Sequence, residues 1–244
     1  VNSINFARVL AQIVYYFTAA VSLGAPGRSV DFTVPTGNFG DIFAGSIARA
    51  MGLPIGRLVI ATNQNDILHR ALTTGEYRTG AAHSSISPSM DIQVSSNFER
   101  ALWLAYGRDG AAISQLMDEL KSGGFTISQG ALQALRETYV SGRVSEDETR
   151  AMIATIHAET GEVICPHTAV GVKIAREQIR PGVPMITLST AHPAKFPDAV
   201  EAAIGIRPAL PPHMANLFDR AERMTHIEND ADAIKSLILE RRTV

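Results

Sequence analysis

The sequence predicts an α/β domain built on a parallel sheet with crossover helices and carrying a helical insertion. Three observations predict it. A β-like run, Ser29 to Thr33, passes through a glycine-containing loop into an amphipathic helical run and then a second β-like run, Arg57 to Ala61. Strand–helix–strand order of this kind argues for parallel neighbours, because parallel strands need a crossover connection. Residues 95–160 read instead as successive helices, after which the α/β alternation resumes.

Taken in order, the chain opens with a helix that Asn2 or Ser3 can cap. Its apolar positions Leu10, Ile13, Val14, Phe17 and Val21 recur at helical spacing until Gly24, so they are expected to form its core face. After the first strand comes a helix with Ile42, Phe43, Ile47 and Ala50 on one side, ended by Gly52-Leu53-Pro54. Residues 63–92 are rich in Thr, Ser, Gly and His and read as ordered loop around a short helix near Asp66 to Thr74. Helices are expected at about 96–106, 109–122, 128–139 and 145–160, separated by Gly107-Arg108-Asp109, Ser122-Gly123-Gly124 and Ser141-Gly142. A helix near Thr168 to Gln178, the strand Met185 to Ser189 and a helix after Pro197 complete the α/β part. Pro208, Pro211 and Pro212 mark a break before a terminal helix, Asp230 to Arg241. The expected organisation is thus an α/β region over 1–92, a helical insertion over 93–160, a return to α/β over 161–207 and a C-terminal extension over 208–244.

Composition narrows the function classes. A chain of 244 residues, 45% hydrophobic and 19% charged with a formal charge of −2, is that of a packed globular protein and gives no reason to expect nucleic acid or an anionic membrane as partner. No apolar run approaches the roughly 20 residues needed to span a bilayer. The lone Cys165 has no partner for an internal disulfide and reads as a packed thiol, not a metal ligand, so no metal site is expected and a cytoplasmic setting fits best. Gly-x-Gly-x-x-Gly, Gly-Lys-Ser/Thr, His-Glu-x-x-His and Gly-x-Ser-x-Gly are all absent from the sequence.

One local feature has a chemistry of its own. Val34-Pro35-Thr36-Gly37-Asn38-Phe39-Gly40-Asp41 joins a strand to a helix start, where unpaired backbone N–H groups can meet an anion and glycines allow its close approach. Phosphate is the expected guest. Taken alone, such a loop is structural at least as often as it binds a ligand.

Four further segments, together with this loop, resemble the C-terminal part of threonine synthase. They are Asn2-Ser3-Ile4-Asn5-Phe6-Ala7-Arg8, Ala61-Thr62-Asn63-Gln64-Asn65-Asp66, Ser87-Pro88-Ser89-Met90-Asp91 running into Ser95-Ser96-Asn97-Phe98-Glu99-Arg100, and Thr190-Ala191-His192-Pro193-Ala194-Lys195-Phe196. Pro166-His167-Thr168-Ala169-Val170-Gly171 also fits, and the similarity is to the longer, fungal and bacterial-type branch. The resemblance implies the tryptophan-synthase-like (fold type II) architecture of pyridoxal-phosphate enzymes. It also implies a carbon–oxygen lyase of threonine biosynthesis that converts O-phospho-L-homoserine and water to L-threonine and phosphate.

On that resemblance, Gly37, Asn38, Phe39, Gly40 and Asp41 would hold the phosphate of pyridoxal 5'-phosphate, with the Asp41 carboxylate turned away to cap the helix start. Thr190 would place a hydroxyl against the pyridine nitrogen, with Ser189 and Thr187 as neighbours one and three residues away on the same strand end. Asn2, Ser3, Asn5 and Arg8 would form a second anion site for the substrate, or else a helix cap and a solvated arginine. Asn63, Asn65 and Asp66 either line the substrate pocket or cap the next helix. His167 and His192 read as hydrogen-bonded structural residues or as proton carriers.

None of the four lysines, Lys121, Lys173, Lys195 and Lys235, stands in the family's Schiff-base lysine context. The resemblance therefore places the catalytic residue upstream of Val1, in an N-terminal part of the same protein, and the 244-residue chain alone is expected to be inactive. A non-catalytic phosphate-ligand binding or interaction protein derived from this fold is the alternative.

Overall fold

A computed structural model describes residues 5–242, which fall into two compact units, Val1–Pro208 and Ala209–Val244. The first unit begins with α1 (Phe6–Ser22). Its cap is Asn5, whose Oδ1 accepts from the Ala7 N–H at 3.0 Å; Asn2 and Ser3 lie outside the described residues. The face that packs is Val9, Ile13, Tyr16 and Ala20, not the expected one: Ile13 is buried, but Leu10, Val14 and Val21 are exposed. Helical spacing shows that α1 is amphipathic, yet two adjacent apolar stripes satisfy it, and only tertiary packing selects between them.

Strand β1 (Val30–Pro35) is buried at all six positions and leads through the 36–39 loop into α2 (Gly40–Ala50) and β2 (Ile55–Thr62). In α2 the residues Ile42, Phe43, Ala44 and Ala48 are buried, whereas Ala50, expected on that face, is exposed. Asp31, a charge inside β1, is matched by the Arg180 fork at 2.6 and 2.8 Å and by the Arg57 N–H at 2.8 Å, which is what a buried carboxylate requires. Next come α3 (Ile67–Thr74), ended by Gly75 in the left-handed region at φ 82°, and the short β3 (Glu76–Arg78).

Residues 93–160 depart from an all-helical insertion. Helices α4 (Phe98–Ala105), α5 (Gly110–Lys121), α6 (Gln129–Thr138) and α7 (Glu146–Thr160) lie where periodicity puts them. Between them run β4 (Gly124–Thr126), antiparallel to β3, and β5 (Tyr139–Arg143), which pairs parallel with β2. The segment is therefore woven into the main sheet. Ser141-Gly142 is part of a strand and not a turn: a Cβ on Gly142 would lie 2.5 Å from Cδ1 of Ile174, so glycine is needed for the close approach of that side chain.

The chain then forms α8 (Pro166–Gln178), β6 (Met185–Thr187) and α9 (Pro197–Ile204). The main sheet has the order β5-β2-β1-β6, and each adjacent pair is parallel. Strand order reverses at β1, with β2 on one side and β6 on the other. In an open parallel sheet the crevice beyond the carboxyl ends at such a reversal is where ligands bind. The second unit contains α10 (Ala231–Arg241), capped by Asp230, and begins one residue after the expected break at Pro208. Among the described residues no helix is long and apolar enough to cross a membrane.

Candidate functional site at the reversal of strand order

A cavity of about 990 Å³ opens at that reversal. The loop after β1, Thr36 to Asp41, forms one wall and Leu188 to Ala191, following β6, another, while Arg8, Gln12 and Tyr15 of α1 close a third side. Of the residues the sequence singled out, Gly37, Asn38, Phe39, Gly40, Asp41, Thr190 and Arg8 all come together here. Ser189 also lines the cavity, with its Oγ 3.3 Å from Thr168 Oγ1, while Thr187 lies within β6.

The loop is built so that its carbonyls are used and its amides are not. Gly37 C=O accepts from Ser95 Oγ at 2.7 Å, Asn38 C=O from the Asn97 backbone N–H and Nδ2 at 3.0 Å each, and Phe39 C=O from the Phe43 N–H at 3.0 Å. Among the described residues, no protein acceptor receives a hydrogen bond from the backbone N–H of Gly37, Asn38, Phe39, Gly40 or Asp41. Five successive amides left over at a helix N-terminus are what an anion fills. Phe39 holds the turn with φ at 64°, an uncommon conformation for a residue with a Cβ, and its ring is pinned edge-on between Phe98 and Tyr139 at 5.2 Å each. Gly37 is required by proximity: a Cβ there would sit 2.6 Å from the Ser89 carbonyl oxygen.

Asp41 turns away from the loop as expected but does not cap α2. Its carboxyl accepts from the hydroxyls of Tyr15 and Tyr16, and Tyr16 Oη also donates to the Asp41 backbone carbonyl at 2.9 Å. Burial pushes the Asp41 carboxyl above the usual carboxylate range, against the two tyrosine hydroxyls and Arg8, which pull it back. Both tyrosines are raised well above their ordinary value by burial and then by the Asp41 charge. The two tyrosines escaped sequence reasoning because their partner is 25 and 26 residues away.

His167 is buried on the cavity wall. Its Nε2 accepts from the Ser89 N–H at 3.2 Å, its ring lies 4.6 Å from that of Phe196, and its Nδ1 is buried without a hydrogen-bond partner. Burial, followed by the nearby Lys195 charge, lowers its pKa to about 4, so the imidazole is neutral. His192 is exposed and accepts from the Ala194 N–H at 3.2 Å.

The remaining candidates lie elsewhere. Asn63 donates to Ser85 Oγ, Ser87 Oγ and Asp91 Oδ1 at 2.8–2.9 Å, Asn65 donates to the His83 carbonyl and Asp91, and Asp66 pairs with Arg70 and Arg143. Asn63 and Asn65 organise the 79–92 loop, and none of the three lines the cavity or caps α3 through a side-chain bond. Asn5 caps α1 and does not line the cavity. Among the four lysines only Lys195 lines the cavity; Lys121 pairs with Asp118, and Lys173 with Glu148 and Glu177.

A family model described as threonine synthase, C-terminal, matches residues 168–238. The threonine synthase of Pseudomonas aeruginosa is 53% identical over 241 residues, covering 98% of this chain and 51% of that protein. The chain belongs to the threonine synthase family. The Saccharomyces cerevisiae threonine synthase is 40% identical over 270 residues, covering 98% of this chain and 52% of that protein. A crystal structure described as PLP-bound threonine synthase from Brucella melitensis superposes with a TM-score of 0.93 at 53% identity, over 100% of this chain and 53% of that one. The yeast enzyme's structure gives 0.88 at 38% identity, over 99% and 53%. The fold is accordingly the α/β, fold type II architecture expected, and the chain spans about half the length of the threonine synthases it matches.

Proposed function

We propose that this chain supplies one wall of a pyridoxal-phosphate-dependent threonine synthase site, acting on O-phospho-L-homoserine and water to give L-threonine and phosphate in a cytoplasmic setting. The observation that carries the reading is the run of five backbone amides, Gly37 to Asp41, that among the described residues donate to no protein acceptor at the strand-order reversal. These donors fit a phosphate ester, and the nearby Asp41 carboxyl is occupied by tyrosine hydroxyls. When bound, pyridoxal phosphate supplies an electron sink for carbanion chemistry.

The chain's own residues have distinct tasks. The 37–41 amides bind and orient the phosphate. Thr190, exposed on the cavity wall, would offer a neutral hydroxyl to a ring nitrogen, and a neutral hydroxyl stabilises a protonated ring less than a carboxylate does. Arg8, for which no ion pair is formed among the described residues, faces the same cavity and suits a substrate phosphate or carboxylate. Asn2 and Ser3 would extend that second anion site, and the lysine that anchors the cofactor lies in an N-terminal part of the same protein.

The test uses full-length protein incubated with pyridoxal phosphate, reduced with borohydride and mapped by peptide mass. The expected modified lysine is none of Lys121, Lys173, Lys195 and Lys235. A modified Lys195, the one lysine on the cavity wall, would relocate the catalytic residue into this chain. Phosphate binding with no modified lysine and no threonine formed would instead favour a non-catalytic phosphate-binding protein.

A further inference from the structure

We infer that Tyr15 and Tyr16 are positioning residues for the 37–41 cradle: their hydroxyls tether the Asp41 carboxyl, so that it does not compete with a phosphate for the cradle's amides. The inference rests on the reading that the cradle holds a phosphate ester.

A carboxylate on the second residue of a helix is usually welcome, because it lies beside unpaired N–H groups at the positive end of the helix dipole. Here that location is the anion site itself. Asp41 follows Gly40 as the second residue of α2, and its own amide is one of the five unfilled donors. An untethered carboxyl would reach the same amides and oppose an incoming dianion by like charge.

The structure prevents this from another helix. Tyr15 Oη and Tyr16 Oη both donate to Asp41 Oδ1, the latter at 3.3 Å, and Tyr16 Oη also reaches the Asp41 carbonyl. Neither ring is free to move away. Tyr16 is fully buried against Phe32 at 4.7 Å and fits over Gly45, where a Cβ would lie 2.7 Å from Cε1 of Tyr16. Tyr15 stacks on Tyr16 at 5.4 Å and lines the cavity. Two adjacent tyrosines, one core and one facing the cavity, converge on a single carboxyl oxygen. Among the described residues these two hydroxyls donate only to the carboxyl and carbonyl oxygens of Asp41, and the packing of the two rings would be complete with phenylalanine.

Substitution separates tethering from packing. In full-length protein, inorganic phosphate and pyridoxal phosphate binding are titrated calorimetrically for the parent, Tyr15→Phe, Tyr16→Phe, Asp41→Asn and the double variants Tyr15→Phe/Asp41→Asn and Tyr16→Phe/Asp41→Asn. Circular dichroism confirms folding of each. Each tyrosine variant is expected to bind about tenfold more weakly, since the carboxyl, held by one hydroxyl instead of two, then competes for the site. Asp41→Asn, which lacks the charge, is expected to bind at least as tightly as the parent, and both double variants to return to within about twofold of Asp41→Asn. Double variants as weak as the tyrosine variants would show that the hydroxyls act only through structure and would overturn the inference. Unchanged binding in both tyrosine variants would overturn it too, with the cradle reading intact. A parent that binds neither probe overturns both. Should Tyr16→Phe fail to fold, Tyr15→Phe at the less buried ring decides alone.

Discussion

Two loops follow neighbouring strands of the same parallel sheet and have opposite hydrogen-bond economies. After β1, the 37–41 segment spends its carbonyls on protein partners and leaves five amides without acceptors among the described residues. After β2, Asn63, Asn65, Ser85, Ser87 and Asp91 satisfy one another: Asp91 Oδ1 accepts from Asn63, Asn65 and Ser85, and Oδ2 accepts from the Ser85 N–H. Both loops are polar and both stand at the carboxyl end of the sheet. Sheet order accounts for the difference. β1 lies between β2 and β6, so its end borders the crevice, whereas the end of β2 lies between β1 and β5, away from the reversal. A polar loop is a ligand site when its geometry leaves donors unfilled, and a structural one when it fills them.

The largest expected effect comes from breaking the closed network. Asp91→Ala removes four accepted hydrogen bonds and leaves the Asn65 side-chain amide and the Ser85 N–H and hydroxyl short of a partner, so unfolding free energy should fall by about 3 kcal/mol. Chemical denaturation measures it, and a loss below about 1 kcal/mol would mean that the network is not what holds the 79–92 loop. The open loop should respond in affinity more than in stability. Gly37→Ala forces a Cβ to within 2.6 Å of the Ser89 carbonyl, so the cradle must shift. Phosphate-ester affinity should then drop by about 2 kcal/mol, roughly thirtyfold, as amides lose their aim. Equal losses of stability and affinity would erase the distinction between the two loops.

How much of this was legible in the sequence follows the same division. The turn from β1 into α2 was readable because a glycine-containing loop between a strand and a helix is a local pattern. Helices α4 to α7 were readable from their periodicity and their Gly and Ser stops. Strand β5 was not, because Ser141-Gly142 has the composition of a turn, and what makes it a strand is pairing with β2 and the approach of Ile174. Asn63 and Asn65 carry the same residue types in either role, so only their partners decide. Tyr15 and Tyr16 were not among the expected core positions of α1; Tyr16 is core, and the hydroxyls of both acquire meaning only once α2 brings Asp41 across.

His167 connects the two loops, since it accepts from Ser89 on the edge of the closed network while its unpartnered Nδ1 is buried at the cavity wall. Its pKa is lowered from the ordinary 6.5 to about 4 in the folded state. Between those values the unfolded chain binds the extra proton and the folded chain does not, so stability should rise with pH through that window. The stabilising contribution is complete above about pH 6.5 and is lost as the pH falls towards 4. Its size is on the order of 2 kcal/mol. Denaturation midpoints of the parent and of His167→Gln across this range test it: the variant should have a shallower slope, and parallel curves would remove His167 as the titrating group.

The smallest effect is expected at Gly40, in the same cradle as Gly37 but with more room. A Cβ there would lie 3.3 Å from Asn97 Nδ2 and 3.7 Å from Gln12 Oε1, contacts with side-chain ends and not with backbone. Gly40 is also absent from the positions with positive φ, so alanine brings no left-handed strain. The neighbour that must give is Asn97, whose Nδ2 holds the Asn38 carbonyl at 3.0 Å and so helps to turn the loop's amides inward. Gly40→Ala should therefore weaken phosphate-ester binding by only about 1 kcal/mol through that bond, and alanine's helix propensity at the start of α2 should keep stability near the parent's. Titration of Gly37→Ala and Gly40→Ala side by side gives the comparison its finest test. If Gly40→Ala lost as much affinity as Gly37→Ala, contact with Ser89 could not be what sets the cradle's shape, and the ligand itself would have to occupy the space beside Gly40.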